Sequence, residues 1–224
     1  MNTSGKWLTG VVLGSLLLAG CVSKVTEKTQ FSGFLPNYDG LQETTSASGQ
    51  PVLRWVAPGF KPASYSTVVF TQLELYPTPS PSERIDMNTL HQLQTYTSNN
   101  ARAVLAQRYR VVNNRSAVPA REPALIMRAA ITGVSASNEG MHWYEVIPVA
   151  AVVGAASAAS GHRDQNTELY IEAELVDATT GAPQVKVVRK VFGGTLKNEQ
   201  QEITANDFKA AIAGLTSDMS AFLK

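Results

Sequence analysis

The sequence predicts an α+β fold, a mainly antiparallel sheet with helices packed on one face as a two-layer sandwich, and three observations lead there. Several segments rich in β-branched residues alternate apolar with polar positions, as half-buried strands do. Two longer segments repeat their apolar residues at helical spacing instead. The order of these segments (strand, helix, strands, hairpin, helix) gathers strands together rather than alternating them with helices, which is the α+β pattern.

The first twenty residues stand apart from that fold. Lys6 gives a positive start, residues 8–18 form a mostly apolar run without charge, and Ala19 and Gly20 are small. This is the layout of a cleavable secretory signal, and the run is too short to span a bilayer. Leu18-Ala19-Gly20-Cys21 resembles the lipobox of bacterial lipoproteins, in which the Cys sulfur is diacylglycerylated before cleavage. Cys21 is the only cysteine, so it has no disulfide partner, and an unpaired thiol in an oxidising compartment is a liability. Lipidation of Cys21 is expected. Two acyl chains, palmitate among the usual ones, suffice for stable membrane anchoring. Enterobacterial lipoproteins held in the inner membrane tend to carry Asp after the Cys, and here Val22 and Ser23 follow. The periplasmic face of the Gram-negative outer membrane is the expected address.

Residues 21–64 read as a lipidated N-terminus with an extended tether or cover, and residues 65–224 as a single α+β domain. The polar, small-residue stretch 44–51 reads as loop. Phe31, Phe34, Leu35, Tyr38, Leu41, Leu53, Trp55, Val56 and Phe60 are too many apolar residues for a disordered linker, so the segment should drape over the domain.

Residues 67–76 read as a strand with Val69, Thr71, Leu73 and Leu75 on one face, ended by Pro77, Pro79 and Pro81. Leu90, Leu93, Thr97, Ala101, Val104 and Leu105 predict a helix over about 86–108, and 109–112 a short strand. Residues 124–135 are apolar on both faces except for Arg128, which predicts a central strand. In 168–176, Leu169, Ile171, Ala173 and Leu175 should point inward while Glu168, Tyr170, Glu172 and Glu174 face solvent. Asp177 should cap the turn 177–183, with 184–192 returning as a hairpin partner that sets Lys186 and Lys190 opposite the glutamates. Thr204 to Asp207 is a capping-box pattern, followed by the helical stripe Phe208, Ile212, Leu215, Met219 and Phe222.

Composition excludes some functions. Without residues 1–20 the chain carries 18 Lys and Arg against 18 Asp and Glu, which gives no field to draw nucleic acid. His91, His142 and His162 lack metal-ligand spacing, and no phosphate loop, dinucleotide fingerprint or Gly-x-Ser-x-Gly elbow is present. No cofactor, metal or catalytic residue is expected, and the protein is expected not to be an enzyme. Two features suggest a contact surface. One is Trp143 with Tyr144, in an aromatic cluster after a turn-like stretch. The other is Ala150, Gly154 and Ala158, which would form a small-residue stripe if the uncharged run 147–161 is helical. Packing against the protein's own sheet is the competing reading of that stripe.

The string Phe31-Ser32-Gly33-Phe34-Leu35-Pro36-Asn37-Tyr38-Asp39-Gly40-Leu41 resembles the opening motif of a Gram-negative lipoprotein family, domain of unknown function 3313. The later blocks 125–134, 147–161 and 172–180 agree in kind. The resemblance spans the mature chain and implies an envelope lipoprotein, but it supplies no catalytic residues. The leading expectation is an outer-membrane-anchored, non-enzymatic module that binds a protein partner or a second copy of itself. The alternative is a small-ligand or lipid carrier with an apolar pocket beneath residues 31–64.

Overall fold

The computed structural model describes residues 24–82, 84–137, 165–198 and 200–224. Among them eight strands form one mixed sheet: β1 (Gln42–Thr45), β2 (Pro51–Val56), β3 (Thr67–Val69), β4 (Glu74–Leu75), β5 (Arg110–Val112), β6 (Ala124–Ser137), β7 (Gln165–Asp177) and β8 (Pro183–Leu196). Their order across the sheet is β1-β2-β8-β7-β6-β3-β5, with β4 also on β6. The long pairs β6/β7 and β7/β8 and the β1/β2/β8 edge are antiparallel, while β3 and β4 run parallel to β6. The fold class is thus α+β with a mainly antiparallel sheet. Residues 42–56, which read as lead-in, are instead the sheet's edge hairpin on β8.

Helices α1 (Met87–Ala106) and α2 (Lys209–Phe222) cover one face. Asp86 starts α1 as an N-cap, accepting the Thr89 N–H at 2.6 Å. Hydrogen bonds from Thr89 hold its carboxyl below the ordinary range. A capping box between Thr204 and Asp207 opens a 3₁₀ turn (Ala205–Phe208) that leads into α2. Leu90, Leu93 and Leu105 of α1, together with Phe208 and Ile212, pack on Leu125, Ile131, Leu169 and Ile171 in one core.

The strand expected over 67–76 is broken in two. β3 lies between β5 and β6, so Val68, Val69 and Phe70 are all buried and the expected alternation fails. Helix side chains take over the backbone groups that the break releases. Arg102 Nη2 donates to the carbonyls of Phe70 (2.6 Å) and Thr71 (2.8 Å). Ser98 Oγ accepts the Leu73 N–H at 2.9 Å, and Gln94 Nε2 donates to the Leu73 carbonyl at 2.8 Å. The carbonyls of Phe70, Thr71 and Leu73 and the Leu73 N–H thus keep partners outside the ladder.

The second face of the sheet corrects the sequence reading most clearly. Glu168, Glu172 and Glu174, expected in solvent, are 2%, 1% and 4% exposed. Residues 31–41 form a strap across them. Glu172 accepts the Ser32 N–H (2.8 Å) and the Tyr38 hydroxyl (2.6 Å). Lys186 donates to Asn37 Oδ1 and to the Asp39 carbonyl, both at 2.6 Å. Glu168 holds Lys190 at 3.0 Å and accepts the Tyr170 hydroxyl at 2.7 Å, and Arg128 reaches Glu174 at 2.8 Å. Phe34 and Leu35 fill the gaps against Ala130 and Val188. Lys186 does lie opposite Glu174, but inside the protein, and Lys190 lies opposite Tyr170. Charge is tolerated there because Glu168, Glu172 and Glu174 each have a donor, which is the condition for burying a carboxylate. Asp177 caps its turn as expected, accepting the Thr179 and Thr180 N–H groups at 2.9 and 2.8 Å.

Candidate functional site

The helix-covered face is not filled. Where β6, β7 and β8 run side by side, Ala129 and Ala173 put small side chains beneath the helices, next to Met127, Ile171 and Val187. Thr97 and Ala101 on α1 are also short, so α1 and the sheet do not close on each other. The result is a cleft of about 310 Å³, walled by Leu215, Met219 and Phe222 of α2 and, at the edge hairpin, by residues 45–47 with Val52 and Arg54. The volume falls at the lower end of the range for small-molecule sites, about 300–1,000 Å³. Phe208 and Ile212 at the start of the α2 stripe are fully buried, whereas Leu215, Met219 and Phe222 are only half-buried. Those last three, expected as core, form the cleft wall.

The lining is mainly apolar, with one built polar corner. Arg189 on β8 pairs with Asp218 on α2 at 2.6 Å, both side chains being nearly inaccessible. Asp218 also accepts the Ser48 N–H (2.7 Å) and hydroxyl (2.8 Å) from the β1–β2 turn. Burial works against its charge, but the bonds from Ser48 and Arg189 hold its carboxyl below the ordinary range. Sheet, helix and edge hairpin therefore meet on one carboxylate. Two buried atoms in this wall have no hydrogen-bond partner, Arg189 Nε and Thr97 Oγ1. Buried polar atoms are nearly always satisfied, so such an atom calls for an explanation.

Of the residues selected from sequence, Cys21, Trp143, Tyr144, Ala150, Gly154 and Ala158 all lie outside the described residues. His91 is exposed on α1. Arg189 and Asp218 carry no role in the sequence reading, and Thr97 enters it only as a member of the α1 stripe. The visible signal for Asp218 was a lone acid on the apolar stripe side of the last helix, adjacent to Met219; Arg189 had none beyond being the one charge among the inward positions of its strand. Among the described residues no helix is long and apolar enough to cross a membrane.

Comparison with known proteins gives the class first. The chain is 41% identical over 222 residues, 99% of its length and 98% of the relative's, to the Escherichia coli protein called uncharacterized lipoprotein YdcL. This chain is accordingly one of a lipoprotein group. The family model described as protein of unknown function (DUF3313) matches residues 30–219, and the chain belongs to that family. Among solved structures, the PelC dodecamer of Paraburkholderia phytofirmans aligns with a TM-score of 0.35 at 12% identity, covering 77% of this chain and 93% of that one. Lipoprotein GNA1162 of Neisseria meningitidis aligns with a TM-score of 0.36 at 13% identity, covering 71% and 97%. Likenesses this distant transfer neither assembly nor function.

Proposed function

We propose that this protein is a lipoprotein anchored through Cys21 to the periplasmic face of the outer membrane, and that its domain is a non-enzymatic binding module for a small, largely apolar ligand. The observation that carries this reading is the cleft of about 310 Å³ between the sheet and its two helices. Its polar corner supports binding over chemistry, because Asp218 is engaged by Arg189 and twice by Ser48 rather than poised as a base. The anchor reading is supported by the Leu-Ala-Gly-Cys string and by the lipoprotein relative.

The test uses the native lipoprotein, purified from membranes, beside a cleft-filling Ala173→Leu variant. An apolar small molecule extracted with the parent and missing from the variant supports the reading. Equal recovery from both, or none from either, counts against it. In the same strains Cys21→Ala should abolish incorporation of a palmitate analogue and release the protein from the outer-membrane fraction. If the variant fractionates with that membrane like the parent, anchoring by Cys21 is wrong.

A further inference from the structure

Building on the cleft as a ligand site, we infer that its ligand is a chain-like apolar molecule carrying an uncharged oxygen acceptor, such as an ester, amide or ketone, and not a carboxylate. The inference starts from the two buried atoms without partners. Arg189 Nε–H can only donate, and the Thr97 hydroxyl can donate. Thr97 and Arg189 both line the cleft, with only 5% and 6% of their surface exposed. An acceptor atom delivered into the cleft would take up these donors and remove the cost of leaving them unpaired.

The charge of that acceptor follows from Asp218. Arg189 supplies the cleft wall's one deeply buried positive charge, and Asp218 neutralises it at 2.6 Å. A second carboxylate arriving at the same guanidinium would leave one uncompensated negative charge in an apolar enclosure. Ser48 fixes Asp218 from the hairpin side with two bonds, so the carboxylate cannot swing away to make room. A neutral carbonyl brings an acceptor without that excess charge. Most of the ligand is apolar because most of the lining is: Met127, Ala129, Ile171, Ala173, Leu215 and Met219 offer an acyl-like chain contact.

The experiment photolabels the full lipoprotein in phospholipid vesicles with a decanoic acid methyl ester that carries a mid-chain diazirine. Competition is by methyl decanoate, decanoate at pH 8 and decane, each at matched bilayer concentration. Label should map to peptides containing Met127, Leu215 or Met219. Methyl decanoate should displace it at least tenfold better than decanoate and about tenfold better than decane. Thr97→Val, which keeps the side-chain shape, should bring methyl decanoate toward the decane value, with decane unchanged and the melting temperature not lowered. Decanoate competing as well as the ester overturns the inference while leaving the cleft a ligand site. Ester and decane competing equally in the parent also overturns it, because the unpartnered donors would then play no part. Absence of label in the cleft wall defeats the ligand-site reading itself.

Discussion

On one side of β6, β7 and β8 the strands present Met127, Ala129, Ile171 and Ala173 to two helices; on the other the same strands present Arg128, Glu172 and Lys186 to a single extended strap. The helix side is apolar yet leaves a void. The strap side is polar yet closed. Apolar contact is non-directional, so helices can rest on a few large residues and leave small ones facing space. Hydrogen bonds to charged groups fix distance and angle, so a strap with the right donors has one way to sit. Sealing on the strap side thus draws on bond geometry as well as on the apolar contacts of Phe34 and Leu35.

The largest expected effect comes where the two kinds of cover meet. Arg189→Met strips Asp218 of its cation inside the protein and should destabilise by about 3–5 kcal/mol in a denaturant melt. Next in size, Glu172→Ala removes the acceptor of both Ser32 and Tyr38 and should cost about 2–4 kcal/mol. Limited proteolysis should then cut within residues 31–41 before any site in α1. If cleavage starts elsewhere, the strap is not held by Glu172. Leu215→Ala, at a wall already fronting a void, should cost only about 1 kcal/mol, less than a closed core position would. A loss equal to that of Leu93→Ala would mean that the cleft is closed in solution. His91→Ala, on the exposed side of α1, should stay within about 0.5 kcal/mol.

Extremes of pH should separate the two faces. Asp218 is held below its ordinary value when folded, so its stabilisation is complete above about pH 4 and is lost as pH falls further. Asp218→Asn should flatten that acid limb relative to the parent. Burial, with Glu172 beside it, pushes the Tyr38 hydroxyl up to about 12. Its stabilisation is complete below the ordinary tyrosine value near 10 and is lost as pH climbs from there toward 12. Alkali should therefore expose the strap to protease while α2 stays folded, and Tyr38→Phe should blunt that response.

Much of the framework was legible because its signals are local. The apolar spacing of α1, the Thr204–Asp207 box, the Asp177 turn and the apolar β6 all depend on neighbours a few residues apart. The strap and the cleft depend on partners far along the chain. Glu172 looks like a solvent residue until Ser32, 140 positions earlier, is laid over it. Alternation shows that a strand has two faces without showing what covers each. A cleft is still less legible, since it is made of what Ala129, Ala173, Thr97 and Ala101 do not fill. The break between β3 and β4 escaped for a related reason: its released backbone groups are met by Arg102, Ser98 and Gln94 of a helix that follows in sequence.

The strap also imposes an order on folding. Its bonds join residues near the start of the described chain to β7 and β8, and Ser48 waits for Asp218, 170 positions later. Pairings of such long separation slow folding, whereas closing a longer loop adds only a logarithmic entropy cost. A chain delivered amino end first cannot seal its polar face until residue 186 has arrived, nor fix its edge hairpin until residue 218 has. Until then Glu172 and Lys186 lie in water at little cost, which keeps the incomplete chain hydrated and extended. The last helix to appear is thus the part that lets the first hairpin settle.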